Sequence, residues 1–211
     1  MYKKCPKCEL NFITDDQELC DVCLGRNNIN LQNNKVEYSS VEAPKRRNGK
    51  AVFFVFQNFS YSESEEIKRR VIIAPNRDKG GFMPHHWLRL TQVIEGDLII
   101  HCTQGYIAAL SFAKSKCYDS KFKDGREALA VDCDYIFLNK MLNVSDYKDK
   151  IIQTCKNTYF QPFNKNGTGN QGYLFEINWE LALTFLRKII DDNEGMEQIS
   201  LVKNFLNDVD L

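Results

Sequence analysis

Histidine is scarce in this chain of 211 residues, which has only His85, His86 and His101. A nuclease centre of the HNH type needs histidines spaced with an asparagine, and these three do not supply one. There is no GxxxxGK[ST] phosphate loop either, which excludes an NTP-driven motor subunit. Charge of one sign is also lacking: 28 basic residues balance 28 acidic ones. Any polyanion must therefore be met by a local patch rather than by the field of the whole protein. No apolar run approaches the roughly 18 residues that a spanning helix requires. Met1-Tyr2-Lys3-Lys4-Cys5 does not read as a leader, so the expectation is a cytoplasmic protein with no membrane partner. Internal repeats are absent.

What the chain does have is eight cysteines, which in a reducing compartment are metal ligands or buried thiols rather than disulfides. Cys5-Pro6-Lys7-Cys8 and Cys20-Asp21-Val22-Cys23 form two C-x2-C pairs. Each pair turns two sulfurs to one side, so Cys5, Cys8, Cys20 and Cys23 can converge tetrahedrally on one Zn²⁺. Four thiolates leave no open coordination position, so the role is structural: a ribbon-like or knuckle-like module over residues 1–26, too short to fold unaided. Cys117, Cys133 and Cys155 are scattered and read as buried thiols.

Residues 27–50 are polar, ending in Pro44-Lys45-Arg46-Arg47-Asn48-Gly49-Lys50, and read as a linker. Lys45, Arg46, Arg47 and Lys50 are candidate phosphate contacts; the alternative is a solvated basic linker. A main domain follows over 51–190. Val52 to Phe56 is a buried strand, Tyr61 to Arg70 a loop or exposed helix, and Val71-Ile72-Ile73 a short strand. Trp87, Leu90, Val93 and Ile94 share one face of a short helix, stopped by Glu95-Gly96-Asp97. Leu98 to Cys102 and Tyr106 to Ala113 form a hairpin about Thr103-Gln104-Gly105. Cys117 to Gly125 reads as a polar connection, and Glu127 to Ile136 as a strand. Val144 to Asn157 reads as a helix capped by Ser145. Phe160 to Asn170 is a loop, Tyr173 to Ile177 a last strand, and a helix capped by Asn178 buries Trp179, Ala182, Leu183, Leu186, Ile189 and Ile190. Residues 191–211 form a further amphipathic helix that either covers core or offers a partner surface. The whole predicts an α+β domain on a curved or closed sheet.

Several of these segments, in this order, carry a resemblance. A tryptophan, a Gly96-Asp97 turn opening a strand and a second strand reading Gly105-Tyr106-Ile107-Ala108-Ala109-Leu110 resemble the PUA-like superfamily, most closely the EVE-like domains of modification-dependent restriction systems. The likeness extends over most of residues 51–190. Val52 to Gln57, Ile73-Ala74-Pro75, Gln161 to Asn164 and Asn166 to Phe175 match further segments of that group, although Phe53-Phe54 stand where relatives often have tryptophans. The resemblance implies a curved sheet or barrel with flanking helices, and a domain that inspects a base for modification.

Such a base must leave the stack, and aromatic walls and polar edge-readers offset that cost. Phe54, Phe56, Trp87 and Tyr106 are candidate walls. Gln57, Asn58, His85, Asp97 and Asn170 are candidate polar or rim residues. Each of the aromatics has core packing as its alternative. No catalytic set emerges: His101 and Cys102 point to opposite faces of a strand, and Asp132 and Asp134 share a face without the lysine or glutamate of a metal-dependent site. The expected function is recognition of a modified base in nucleic acid, DNA before RNA, as the specificity component of a restriction system with a separate nuclease. The alternatives are an ASCH-like hydrolase of modified nucleosides and a YTH-like binder of modified RNA.

The paired cysteines predict about one Zn²⁺ per chain by metal analysis, lost in Cys5→Ser or Cys23→Ser while residues 51–190 stay folded. A metal-free wild type with an ordered N-terminus contradicts the assignment.

Overall fold

The continuous run Val52–Gln57 is apolar on both sides, and a strand of that kind belongs in the middle of a sheet. The computed structural model puts it there. It describes residues 49–57, 64–78, 80–155 and 160–209, with the short strands β1 (Tyr2–Lys4) and β2 (Phe12–Thr14). The backbone separates into two compact units, 1–38 and 39–211. In the first, β1 and β2 pair antiparallel with Tyr2 opposite Thr14. Cys5, Cys8, Cys20, Cys23, Lys45, Arg46, Arg47 and Asn58 lie outside the described residues.

The second unit is α+β, a curled, half-barrel mixed sheet with flanking helices. Its strands are β3 (Val52–Gln57), β4 (Val71–Pro75), β5 (Leu98–Thr103), β6 (Tyr106–Ala113), β7 (Tyr118–Lys121), β8 (Glu127–Asn143) and β9 (Leu174–Glu176). They run in the order β4-β8-β6-β5-β3-β9, with β7 also on β8. β3 and β5 pair in parallel, Val52 opposite Leu98 and Gln57 opposite Thr103; the other pairs are antiparallel. The 17-residue β8 turns the sheet on itself: Ala128 to Asp132 pair with β4, and Cys133 onward with β6.

The two faces have separate cores. Phe54, Ile100 and Leu110 face the helices α4 (Trp179–Asp192) and α5 (Ile199–Asn207), burying Leu181, Phe185, Val202 and Phe205. α5 therefore covers core. On the inner face, Phe53, Val55 and Ile99 meet Ile72, Val131, Leu90 and Val93. Among the described residues no helix is long and apolar enough to cross a membrane.

Several local expectations change. The hairpin turns on two residues, Gln104 (φ 51°) and Gly105 (φ 83°), the paired positive φ of a tight turn that suits strand twist. The expected helix from Trp87 to Ile94 is a single turn, α2 (His85–Leu88), followed by a 3₁₀ turn over Arg89–Gln92. Ile94 is exposed rather than on the buried face. The segment after β8 begins as a 3₁₀ turn over Val144–Tyr147 and becomes α3 (Lys148–Thr154). Its cap is Asn143, whose side-chain oxygen accepts from the Ser145 amide at 3.1 Å; Ser145 is capped rather than capping. Asn178 caps α4 as expected, accepting from Leu181 N at 2.9 Å. α4 also buries Leu181 and Phe185, while Leu183 is only partly covered. The polar stretch after Ala113 contains β7, whose side chains are mostly exposed.

Asp97 is fully buried, and its two carboxylate oxygens accept from Ala51 N at 3.0 Å and Ile94 N at 2.8 Å. It ties the start of β5 to the start of β3 and to the turn between them, and so is a clasp rather than a reader of a base edge. Asp97→Ala should cost about 3 kcal/mol, since it strands two amide donors at about 1–3 kcal/mol each. Asp97→Asn, which keeps one acceptor, should cost less. Chemical denaturation measures both, and a near-neutral Asp97→Ala contradicts the clasp.

Candidate ligand-binding site

Strand alternation puts Gln57 on the inner face with Phe53 and Val55. There it is 5% exposed, and neither atom of its amide finds a hydrogen-bond partner among the described residues. The chain then crosses over before returning as β5. The crossover contributes α1 (Glu65–Arg69), capped by Ser64, whose hydroxyl accepts from Ile67 N at 3.4 Å. α1 delivers Glu66 to the inner face, buried at 4% exposure.

Tyr173, just before β9, joins these groups. Its hydroxyl donates to Glu66 Oε1 and accepts from Ile73 N at 2.9 Å. Its amide donates to His86 Nδ1 at 3.2 Å, and its carbonyl accepts from Phe56 N at 2.9 Å. Burial pushes the Glu66 carboxyl up to about 7, against the pull of Tyr173, Gln57 and the Ile73 amide. The Tyr173 phenol is pushed up by its own burial and by Glu66. The Gln57 amide thus lies close enough to influence the Glu66 charge, yet it makes no hydrogen bond of acceptable length and angle.

Beside this polar core lies a wall of rings along the β9 edge. His85 packs edge-on against Phe160 at 5.1 Å and lies 6.1 Å from Phe175. His86 lies 5.6 Å from Trp87, and Phe56 6.0 Å from Phe175. Desolvation lowers the pKa of His85, with Arg89 adding to it, and takes His86 down to about 4, with His85 adding to it. The wall is therefore uncharged at neutral pH. His86 Nδ1, which accepts from Tyr173, leaves its proton on Nε2. His85 Nδ1 and Gln161 Oε1 are buried without a partner among the described residues.

Two glycines allow the close approach of the 160–173 loop. A Cβ on Gly172 would run into the Phe175 ring and come within 3.1 Å of His86 Cγ; one on Gly169 would come within 3.1 Å of the Phe56 ring. Asn170 holds that loop, donating through Nδ2 to Gln161 O at 2.7 Å and through its amide to Pro162 O at 2.8 Å.

Of the residues picked from sequence, Gln57, His85, Trp87 and Asn170 lie around this corner, with Trp87 half-buried against the inner core, whereas Phe56 turns to the opposite face of β3 and packs with Phe54 and Phe163. Tyr106 is 46% exposed at the hairpin. It lies opposite Thr103, which lies opposite Gln57, so it stands on the same face about 10 Å away across two strand spacings. Phe54 does not belong: it is fully buried among Phe56, Phe163 and Phe185 and can wall nothing. Lys50 is engaged at the surface, 3.0 Å from Asp208 and over the Phe205 ring. Asp132 accepts from Tyr118 and Asp134 pairs with Arg70 at 3.5 Å, so they are two separate contacts. Among the described residues no three His, Cys, Asp or Glu side chains are grouped to hold a metal. Glu66, His86, Tyr173, Phe160 and Gln161 were missed. Tyr173 stood in plain view within a quoted motif, whereas Glu66 in a run of charges gave no sign of burial.

No family model matches the chain, and no curated protein matches it. Among solved structures, the chain is similar to the NMR structure of Rpa0253 from Rhodopseudomonas palustris, at 9% identity and a TM-score of 0.42, over 70% of this chain and 95% of that one. So loose a likeness carries no argument.

Because the folded chain holds the Glu66 proton more tightly than the usual 4.5, the contribution of this group is favourable at low pH and is lost as pH rises from about 4.5 to about 7. Relative to Glu66→Gln, the wild type should lose roughly 3 kcal/mol over that interval. His86 and His101, depressed to about 4 and about 3, act in the opposite sense: their contributions are lost as pH falls below 6.5. Both proteins share them, so they cancel in the difference. Denaturation curves for the two proteins at pH 5 and pH 8 make the comparison, and parallel pH profiles contradict it.

Proposed function

We propose that the second unit binds nucleic acid and holds one modified base, extruded from the stack, against the ring wall at the β9 edge. The observation that carries this reading is the neutral ring set His85, His86 and Trp87, brought beside buried polar atoms that lack partners among the described residues. Stacking on such rings contributes about 1–3 kcal/mol per base, enough to offset an extraction that costs a few kcal/mol. The resemblance of the segments from Val52 to Phe175 to EVE-like domains of the PUA-like superfamily supports the same reading. On it, the protein is the specificity component of a restriction or defence system, DNA its first target, with cleavage supplied by a separate nuclease. Lys45, Arg46, Arg47 and Lys50 then serve as phosphate contacts, and the four N-terminal cysteines as a structural zinc site.

A second reading rests on Glu66. A carboxyl held near neutrality is suited to general acid–base work, which fits hydrolysis of a modified nucleoside.

The test is equilibrium binding to a panel of modified and plain oligonucleotides, DNA and RNA, single- and double-stranded, with nucleoside hydrolysis measured on the same panel. The wild type should prefer a modified strand. His85→Ala and Trp87→Ala should reduce that preference by roughly 5- to 150-fold if their rings stack, and thermal melting distinguishes this from unfolding. A wild type without preference for any modified strand overturns the base-binding reading, and turnover of a nucleoside favours the hydrolase.

A further inference from the structure

β7 pairs with β8 alone, and the backbone bonds around it fix which way its groups point. Asn76 N donates to Glu127 O and Cys133 N to Arg70 O, so the odd-numbered residues of this part of β8 address the β4 side. Phe122 N donates to Arg126 O and Lys114 N to Asp132 O, so the even-numbered ones address β7. An antiparallel ladder alternates in this way. Ser120 stands opposite Ala128 and Asp119 opposite Leu129, so Asp119 and Lys121 turn their backbone groups away from the sheet. Among the described residues, the one hydrogen bond those groups make is from Arg69 Nη1 to Lys121 O at 2.8 Å, which leaves that oxygen a second lone pair. Two surface cavities of about 330 and 340 Å³ open along the same strand, one against Ile94, Cys117 and Tyr118, the other against Asn76, Asp119 and Lys121. The edge therefore has both space and unused hydrogen-bonding groups.

Charge normally protects such an edge, because lysines on it repel the lysines of a second copy. Here the exposed charges alternate in sign about Ser120. In an antiparallel pairing of two copies centred on Ser120, Asp119 stands opposite the second copy's Lys121, and Lys121 opposite its Asp119. The outward backbone groups then match and exchange four hydrogen bonds. The same register sets Tyr118 opposite Phe122 twice on the other face. Opposite charges and aromatic pairs across strands are both favourable. Centring the pairing on Asp119 or on Lys121 also matches the backbone groups, but sets Asp119 against Asp119 or Lys121 against Lys121, which is unfavourable. Arg69, beside the axis at Ser120, is itself paired with Glu65 at 2.9 Å, so it brings no bare cation there.

We propose that β7 is a docking edge for a second copy of this chain, joined antiparallel across a two-fold axis at Ser120 so that one sheet runs through both. The contact is isologous, each copy giving the same strand. Its centre is residues 118–122 of each copy, far fewer than the roughly 20–30 of a standard interface, so the dimer is weak and forms at high protein concentration. The inference does not depend on the base-binding reading.

The experiment is sedimentation equilibrium of the full chain from about 10 μM to about 1 mM, the range in which a weak contact is read. The wild type should pass from monomer to dimer. Asp119→Lys and Lys121→Asp each set like charges opposite one another twice, and each should weaken the dimer at least about tenfold. An equal mixture of the two variants should associate again, because each supplies the charge that the other lacks. Hydrogen exchange on the wild type over the same concentrations should slow at the Asp119 and Lys121 amides and stay constant at the Ser120 amide, which is committed to β8. Thermal melting shows that the variants are folded, and the exchange measurement needs no variant.

A wild type that stays monomeric at the highest concentration overturns the inference and leaves the edge to a strand of a different protein or to solvent. A dimer that neither variant weakens, or whose formation leaves the Asp119 and Lys121 amides exchanging as before, also overturns it and places the contact elsewhere on the chain. Folded variants that each lose the dimer but do not associate when mixed overturn the register centred on Ser120.

Discussion

The parallel pairing of β3 with β5 is the constraint from which the rest of the second unit follows. Parallel neighbours cannot be joined by a tight turn, so the chain must travel from Gln57 to Leu98 before it can pair again. That crossover supplies α1, β4 and α2, and with them Glu66, Ile73, His85 and His86. β4 does not return to β3 but pairs with the first part of β8, which closes the curl over the inner face. Asp97 secures the far end by holding Ala51 N and Ile94 N. The site therefore stands where β3 ends, because there the crossover leaves the sheet and Tyr173 comes back to it.

The chemistry of that corner is polar with little net charge: the buried Arg89 is paired with Glu176 at 3.6 Å, and the remaining groups are kept largely neutral. Glu66 is held near neutrality, His86 is kept neutral by desolvation, and the Tyr173 phenol stays protonated. Burial imposes this, since an ion is costly to desolvate whereas a hydrogen-bonded neutral group is not. A surface of this kind suits a flat, neutral ligand with polar edges better than a phosphate. Contacts to phosphate would have to come from the exposed basic residues, where water and salt screen each one.

Much of the fold was legible. Gly96-Asp97 and Gln104-Gly105 bracket β5 so clearly that the hairpin could be placed closely, and Asn178 announced α4. β8 was shortened because Asn139-Lys140-Met141 sits in it as exposed residues, which in sequence look like the end of a strand. The site was legible by halves. Gln57 and His85 stood out as polar groups beside aromatic runs, and period-two alternation from Phe53 already set Phe54 apart from Gln57 on the other face. Glu66 was hidden because Glu65-Glu66 and Lys68-Arg69-Arg70 read as a solvated helix, and only the tertiary packing of α1 shows which carboxyl turns inward. Asp97 was taken for a reader because an acidic residue in a turn can serve backbone or ligand, and only the positions of Ala51 N and Ile94 N decide it.

The central claim, that the end of β3 is where a ligand is held, is tested most directly by the side-chain amide of Gln57 itself. With ¹⁵N-labelled protein, its NH₂ resonances can be followed during titration with the tightest-binding modified nucleoside. Asn193, whose amide is already committed to Lys140 O at 3.1 Å and Ile189 O at 3.0 Å, serves as the internal control. The account predicts a saturable shift of the Gln57 NH₂ pair with the same Kd as overall binding, while Asn193 stays still. Saturable binding with the Gln57 resonances unmoved would contradict it.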